Sequence, residues 1–229
     1  MVCRTPPSGR APTVQDVDTI TVATSTRPEF VRMTGRLCLA GALIGVAGGL
    51  VTAFIEPAVG PDRYSYPYTP TGLVLAELTF ILNHLLLLIG VLGLARSGAA
   101  GQGWLGRVGL WTSMVALVAL TLCEVATIAL ADSAQPTPRT DTLGMAYGVA
   151  SILIGVGLVL AGIAVARTRL WTGWARHIVL TSGIAVFVIV IPGVFSTFLA
   201  GRLVLVIWML MFAALGLALI RSPHPATTR

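Results

Sequence analysis

With 229 residues, 55% of them hydrophobic and 10% charged, the chain is too apolar to be a soluble domain, where about a quarter of residues are charged. The net charge is +6, but every basic residue is an Arg and these flank apolar blocks instead of clustering, which argues against a nucleic-acid binder. Cys3, Cys38 and Cys123 are too scattered for a disulfide framework or a zinc site.

Residues 1–33 are polar and rich in Thr and Pro, with no apolar stretch of the kind a signal peptide needs. They read as a disordered cytoplasmic tail, because such a segment buries too little surface to order itself. Residues 34–221 then read as one transmembrane domain, and 222–229 as a short cytoplasmic tail.

Six blocks are long enough to cross a hydrocarbon core of ~30 Å at ~1.5 Å per residue. They fall at 37–57, 72–95, 108–131, 143–166, 177–199 and 203–220. The expected fold is therefore an all-α, polytopic bundle of six helices. Pro192 and Gly193 predict a kink or fray near one end of the fifth block.

Placing the N-terminus inside puts Arg96, Arg107, Arg167, Arg169, Arg176 and Arg221, with the Arg residues of both tails, on the cytoplasmic side. Only Arg63, Arg139 and Arg202 then lie outside. The positive-inside rule favours this orientation, with both termini cytoplasmic. Trp104, Trp171 and Trp174 in the inner loops, and Tyr64, Tyr66 and Tyr68 in the first outer loop, read as interfacial anchors. The absence of Lys and the abundance of Ala, Gly, Val, Leu and Arg fit a GC-rich bacterial genome, hence a bacterial cell membrane.

Two hairpins share a pattern. After Arg96 come Gly103-Trp104, Arg107 and Thr112-Ser113; after Arg167 come Gly173-Trp174, Arg176 and Thr181-Ser182. Helices 2–3 and 4–5 thus read either as copies of one hairpin or as convergence on Arg at inner ends. Gly41, Gly45 and Gly49, and Gly144, Gly148 and Gly155 with Ser151, form small-residue rows. Such rows let helices approach closely; packing within the bundle is the favoured reading, a homo-oligomer or membrane-protein partner the other.

Ionisable residues inside a bilayer are costly and point to function. Here they are Glu77, His84 and Glu124, with Asn83 and Tyr147 as neutral company and Glu56 at an interface. Glu77 and His84 are seven residues apart and share a helix face, but lie ~10 Å apart along the axis. Block boundaries place Glu77 and Glu124 at similar depth, with Thr121 and Thr127 flanking Glu124. These residues make either a polar pocket open to the outside or a set of internal hydrogen bonds.

Catalytic motifs are missing from the sequence: it has no HExxH, GxSxG or P-loop, and a single membrane-embedded His, where bis-His haem needs two. No catalytic residue, metal ligand or cofactor is assigned. The first functional expectation is a non-enzymatic structural or partner-binding membrane component. The second is a small-solute or proton-coupled transporter built on Glu77, His84 and Glu124; an intramembrane enzyme acting on lipid is a weaker third.

The stretch Asp62-Arg63-Tyr64-Ser65-Tyr66-Pro67, His84 within the next helix and the inner loops that carry Gly-Trp followed closely by Arg (Gly103-Trp104 with Arg107, Gly173-Trp174 with Arg176) carry a resemblance. On these, residues 36–221 resemble uncharacterised six-helix integral membrane proteins of high-GC, actinobacterial-type bacteria. That resemblance implies the topology and carries no activity with it.

Overall fold

The computed structural model describes residues 14–222. Its elements are all helical: α1 (Val14–Phe54), α2 (Pro70–Ser97), α3 (Trp104–Ala129), α4 (Pro138–Thr168), α5 (Ala175–Ala185), a π-helical segment (Val186–Val190), α6 (Ile191–Val194) and α7 (Phe198–Ile220). Six stretches are long and apolar enough to span a membrane, with α5, the π segment and α6 forming the fifth. This is a multi-pass membrane protein.

The expected blocks match these spans to within a few residues, except at the start. Helix α1 begins at Val14, ahead of the boundary placed at residue 34. The first thirteen residues of the expected tail, and residues 223–229, lie outside the described part.

Local chemistry explains where helices start. At one end of the bundle α2, α4 and α7 each begin after a threonine N-cap. Thr69 Oγ1 accepts from Gly72 N at 3.1 Å, Thr137 Oγ1 from Thr140 N at 3.3 Å and Thr197 Oγ1 from Ala200 N at 3.2 Å. In α4 the Thr140 hydroxyl also accepts from Thr137 N at 2.8 Å, completing a reciprocal cap. Pro70 and Pro138 occupy the first turns, where a missing N–H costs nothing. At the other end α2 closes on Gly98 at φ 76°, a left-handed position that glycine adopts without strain.

Pro192 explains the fifth span. Its ring crowds the carbonyl four residues back and offers it no N–H. The helix widens in response: Ile191 N–H reaches back five residues to the Val186 carbonyl, and the segment before the proline becomes π-helical.

The spans form a ring. Helix α1 packs on α2 and α7, α2 on α3, α3 on α4, α4 on α5, and α5 on α7. Helix α7 also leans across to touch α2. Phe212, Leu215 and Leu219 of α7, Leu87 and Leu94 of α2, Leu117 of α3 and Ile154 and Leu158 of α4 are fully buried. Trp171, expected at the interface, belongs to this core, while Trp104 and Trp174 are exposed.

Small residues set the close contacts. A Cβ on Gly45 would stand 2.7 Å from Asn83 Nδ2 and from Met209 Sδ, and one on Gly49 2.7 Å from Val206. The α1 glycine row therefore seats α1 against α2 and α7. Gly144 and Gly148 differ, since a Cβ there would meet nothing within 4 Å.

Candidate functional site

Helix α2 places His84 on its inner face, and α3 places Glu124 opposite. His84 Nδ1 lies 2.5 Å from Glu124 Oε1. Both residues are buried, 8% and 3% accessible. The contact is one of charge and distance, without the alignment of a hydrogen bond, and Glu124 Oε2 has no hydrogen-bond partner among the described residues. A histidine beside a carboxyl group is a chemistry that can hold and pass a proton.

Around this pair the bundle gathers further polar groups. Glu77, one face-repeat from His84 on α2, interacts electrostatically with Glu124 and with Arg202 of α7. Arg202 also feels Tyr68 and Tyr147. On α7 Arg202 shares a face with the buried Val206 and Met209. Its guanidinium lies over the Phe198 ring at 5.0 Å, and Tyr66 meets the same ring edge-on at 5.2 Å. Glu77, Tyr147 and Arg202 all retain some accessible surface.

The loop between α1 and α2 covers this end. It is tied to the α3–α4 loop by Tyr64 N donating to Ser133 O at 3.0 Å and Gln135 N donating to Asp62 O at 2.8 Å. Gln135 Nε2 donates to the carbonyls of Pro61 and Arg63. From the loop, Tyr68 Oη meets Thr52 Oγ1 at 2.8 Å and Tyr64 Oη meets Thr127 Oγ1 at 3.4 Å. Thr127 in turn meets Tyr147 Oη at 2.9 Å. Burial pushes the Tyr64 phenol above its ordinary range, against the pull of the Thr127 contact and with the help of Glu77, so it meets the site as a neutral hydroxyl.

Of the three residues expected from sequence, the structure joins His84 to Glu124 directly and leaves Glu77 near by. Glu124 is not paired across to Glu77 at matched depth. His84 lies ~21 Å from the α2 start and Glu124 ~8 Å from the α3 end at ~1.5 Å per residue, so α2 outruns α3 on this side. Asn83 faces α1 and α7 instead: its Nδ2 donates to Gly41 O at 2.7 Å and approaches Met209 Sδ at 3.6 Å. Glu56 is exposed beyond α1.

Arg202 is the site residue that sequence reading missed, having been counted as an outer charge. A signal existed: Thr197 as an N-cap starts α7 at Phe198 and puts Arg202 a full turn inside. Two surface cavities, of about 150 Å³ beside Trp171, Trp174 and Arg221 and about 590 Å³ between α3 and α4 near Ala126 and Arg139, do not include Glu77, His84 or Glu124.

No family model, curated protein or solved structure matches this chain.

Proposed function

We propose that this protein is a small-solute carrier that couples movement across the membrane to a proton held by His84 and Glu124. One observation supports it above all: a buried His–carboxylate pair between two spans, with one carboxylate oxygen left without a partner. Desolvating two ionisable groups is expensive, and a pair of this kind is weak evidence for stability. A bundle that only had to pack would be served as well by apolar side chains. A movable proton is the property that apolar residues lack.

The test is uptake into proteoliposomes under an inward proton gradient, screening a labelled collection of small polar solutes. At least one solute is expected to accumulate, and Glu124→Gln and His84→Gln are expected to abolish its gradient-driven uptake while leaving the protein monodisperse. Should no solute move, and both variants merely lower the melting temperature, the pair is structural and the protein is a non-enzymatic, partner-binding membrane component.

We also infer that both termini are cytoplasmic and that the membrane is a bacterial cell membrane. Support comes from the Arg distribution and from the loop pairing that gathers Arg63 and Arg139 at one end. Reporter fusions at Tyr66 and Thr137 are expected to read as external; a cytoplasmic signal at either one overturns the orientation.

A further inference from the structure

At the end of the bundle away from the covering loop, a cavity of about 150 Å³ opens between the α4–α5 loop, the start of α5 and the end of α7. It is far larger than the ~10–15 Å³ that holds one water. Its walls carry donors and no carboxylate: Trp171 and Trp174 from the loop, Ala175 at the start of α5, and Arg221 and Ser222 after α7. No Asp or Glu follows Asp141 in the chain, so neither the loop nor α7 can offer one.

Three kinds of donor here lack partners. Trp171 is 4% accessible, with the body of its ring in the core. A buried indole N–H usually finds an acceptor. That of Trp171 has none among the described residues, yet its nitrogen is not sealed off, so the open edge of the ring is the polar one, on the cavity. Arg221 is exposed and makes no ion pair or side-chain hydrogen bond among the described residues. Helix α5 starts without a side-chain cap, which leaves its first amides, Ala175 N–H among them, unpaired. Its start is held in place by Arg176, whose Nε donates to Ala166 O at 2.9 Å. The acceptors at the end of α7 are already used. Leu217 O accepts from Arg221 N at 3.1 Å, Ala218 O from Ser222 Oγ at 3.1 Å and Leu219 O from Ser222 N at 3.3 Å.

An indole N–H, a guanidinium and helix N-terminal amides thus face one small space from three elements. Such a set recognises negative charge spread over several acceptor oxygens, which is the chemistry of a phosphate group. A cation finds no ligand on these walls. The ends of three spans form the cavity, which puts it at the depth of lipid head groups. We propose that this cavity binds a phosphate group, carried by a membrane phospholipid or free in solution, through Trp171 Nε1, the Arg221 guanidinium and the first amides of α5. None of these residues belongs to the His84–Glu124 pair, so the site stands or falls apart from the carrier reading.

The experiment uses the full chain in a phosphate-free maltoside detergent. Melting temperature is read against inorganic phosphate, short-chain phosphatidic acid, the diacylglycerol with the same tails, and sodium chloride at matched ionic strength. A saturable rise is expected with a phosphate-bearing probe and not with diacylglycerol or chloride. A rise with phosphatidic acid alone makes a lipid the source, one with inorganic phosphate alone a soluble ligand, and one with both a site for either; each supports the assignment. Arg221→Gln is expected to weaken the apparent affinity about tenfold, as loss of hydrogen bonds to a charged group does. Trp171→Phe keeps a ring in the core, removes the N–H and is expected to weaken it severalfold. Arg107→Gln removes a charge at the same end but outside the cavity, and is expected to respond like the parent protein. Equal stabilisation by diacylglycerol, an equal loss in Arg107→Gln, or no rise with either phosphate probe overturns the proposal. So does an undiminished response in Arg221→Gln or in a folded Trp171→Phe. If Trp171→Phe unfolds, Arg221→Gln still decides, because its side chain is exposed and its removal costs the core nothing.

Discussion

Glu124→Gln is expected to destabilise the protein by about 3–5 kcal/mol, the range found when one member of a buried ion pair is removed. His84 then stands buried opposite a neutral amide, with the attraction of the carboxylate gone. A double-mutant cycle separates this from simple loss of packing. If His84 and Glu124 act as a unit, His84→Gln combined with Glu124→Gln costs clearly less than the two single changes added together. The doubly apolar His84→Leu, Glu124→Leu protein extends the argument: well-packed apolar replacements of buried pairs are often neutral or stabilising. It is expected to be at least as stable as either single variant while carrying nothing. Additive losses in the cycle, measured by equilibrium unfolding in detergent, would show that the two side chains do not hold each other.

The second large effect lies in the α3–α4 contact. A Cβ on Gly109 would sit 2.6 Å from the Gly157 carbonyl oxygen, and one on Gly157 2.7 Å from the Gly109 carbonyl. These are backbone atoms, so no side chain can swing aside, and the helices must separate. Overpacking of a tight core costs about 1–3 kcal/mol, and Gly109→Leu is expected at or above the top of that range. Gly144→Ala is the control. A Cβ there meets nothing within 4 Å, so the change is expected to be neutral or slightly stabilising through helix propensity. Equal melting temperatures for Gly109→Leu and Gly144→Ala would mean that α3 and α4 do not approach as described.

Some of the site was legible residue by residue. Glu77, His84 and Glu124 stand out because ionisable groups are rare in apolar spans. Their arrangement was not legible. Glu124 was expected level with Glu77, yet it meets His84, because the ends of α2 and α3 are staggered and residue counting assumes that they are flush. Arg202 looked like a loop charge until Thr197 proved to cap the last span. Trp171 looked like an interfacial anchor, and it is buried because the turn after α4 folds back on the bundle. The glycine rows announced close packing without naming the partner: those of α1 face α2 and α7, while Gly144 and Gly148 face away.

The number of spans, their approximate limits and a disturbance at Pro192 were readable before the fold was known; that the disturbance is a π-helical turn was not. Each of these is a local property. In hydrocarbon a segment must satisfy its own backbone, so a run of about 20 apolar residues becomes a helix whatever surrounds it, and a proline disturbs only the turn that precedes it. Two features belong to the tertiary structure: the spans close into a ring, and His84 finds Glu124. Those depend on the stagger and rotation of one helix against another, which are set by which small residues let which backbones approach, and one helix's sequence does not carry its neighbour's position.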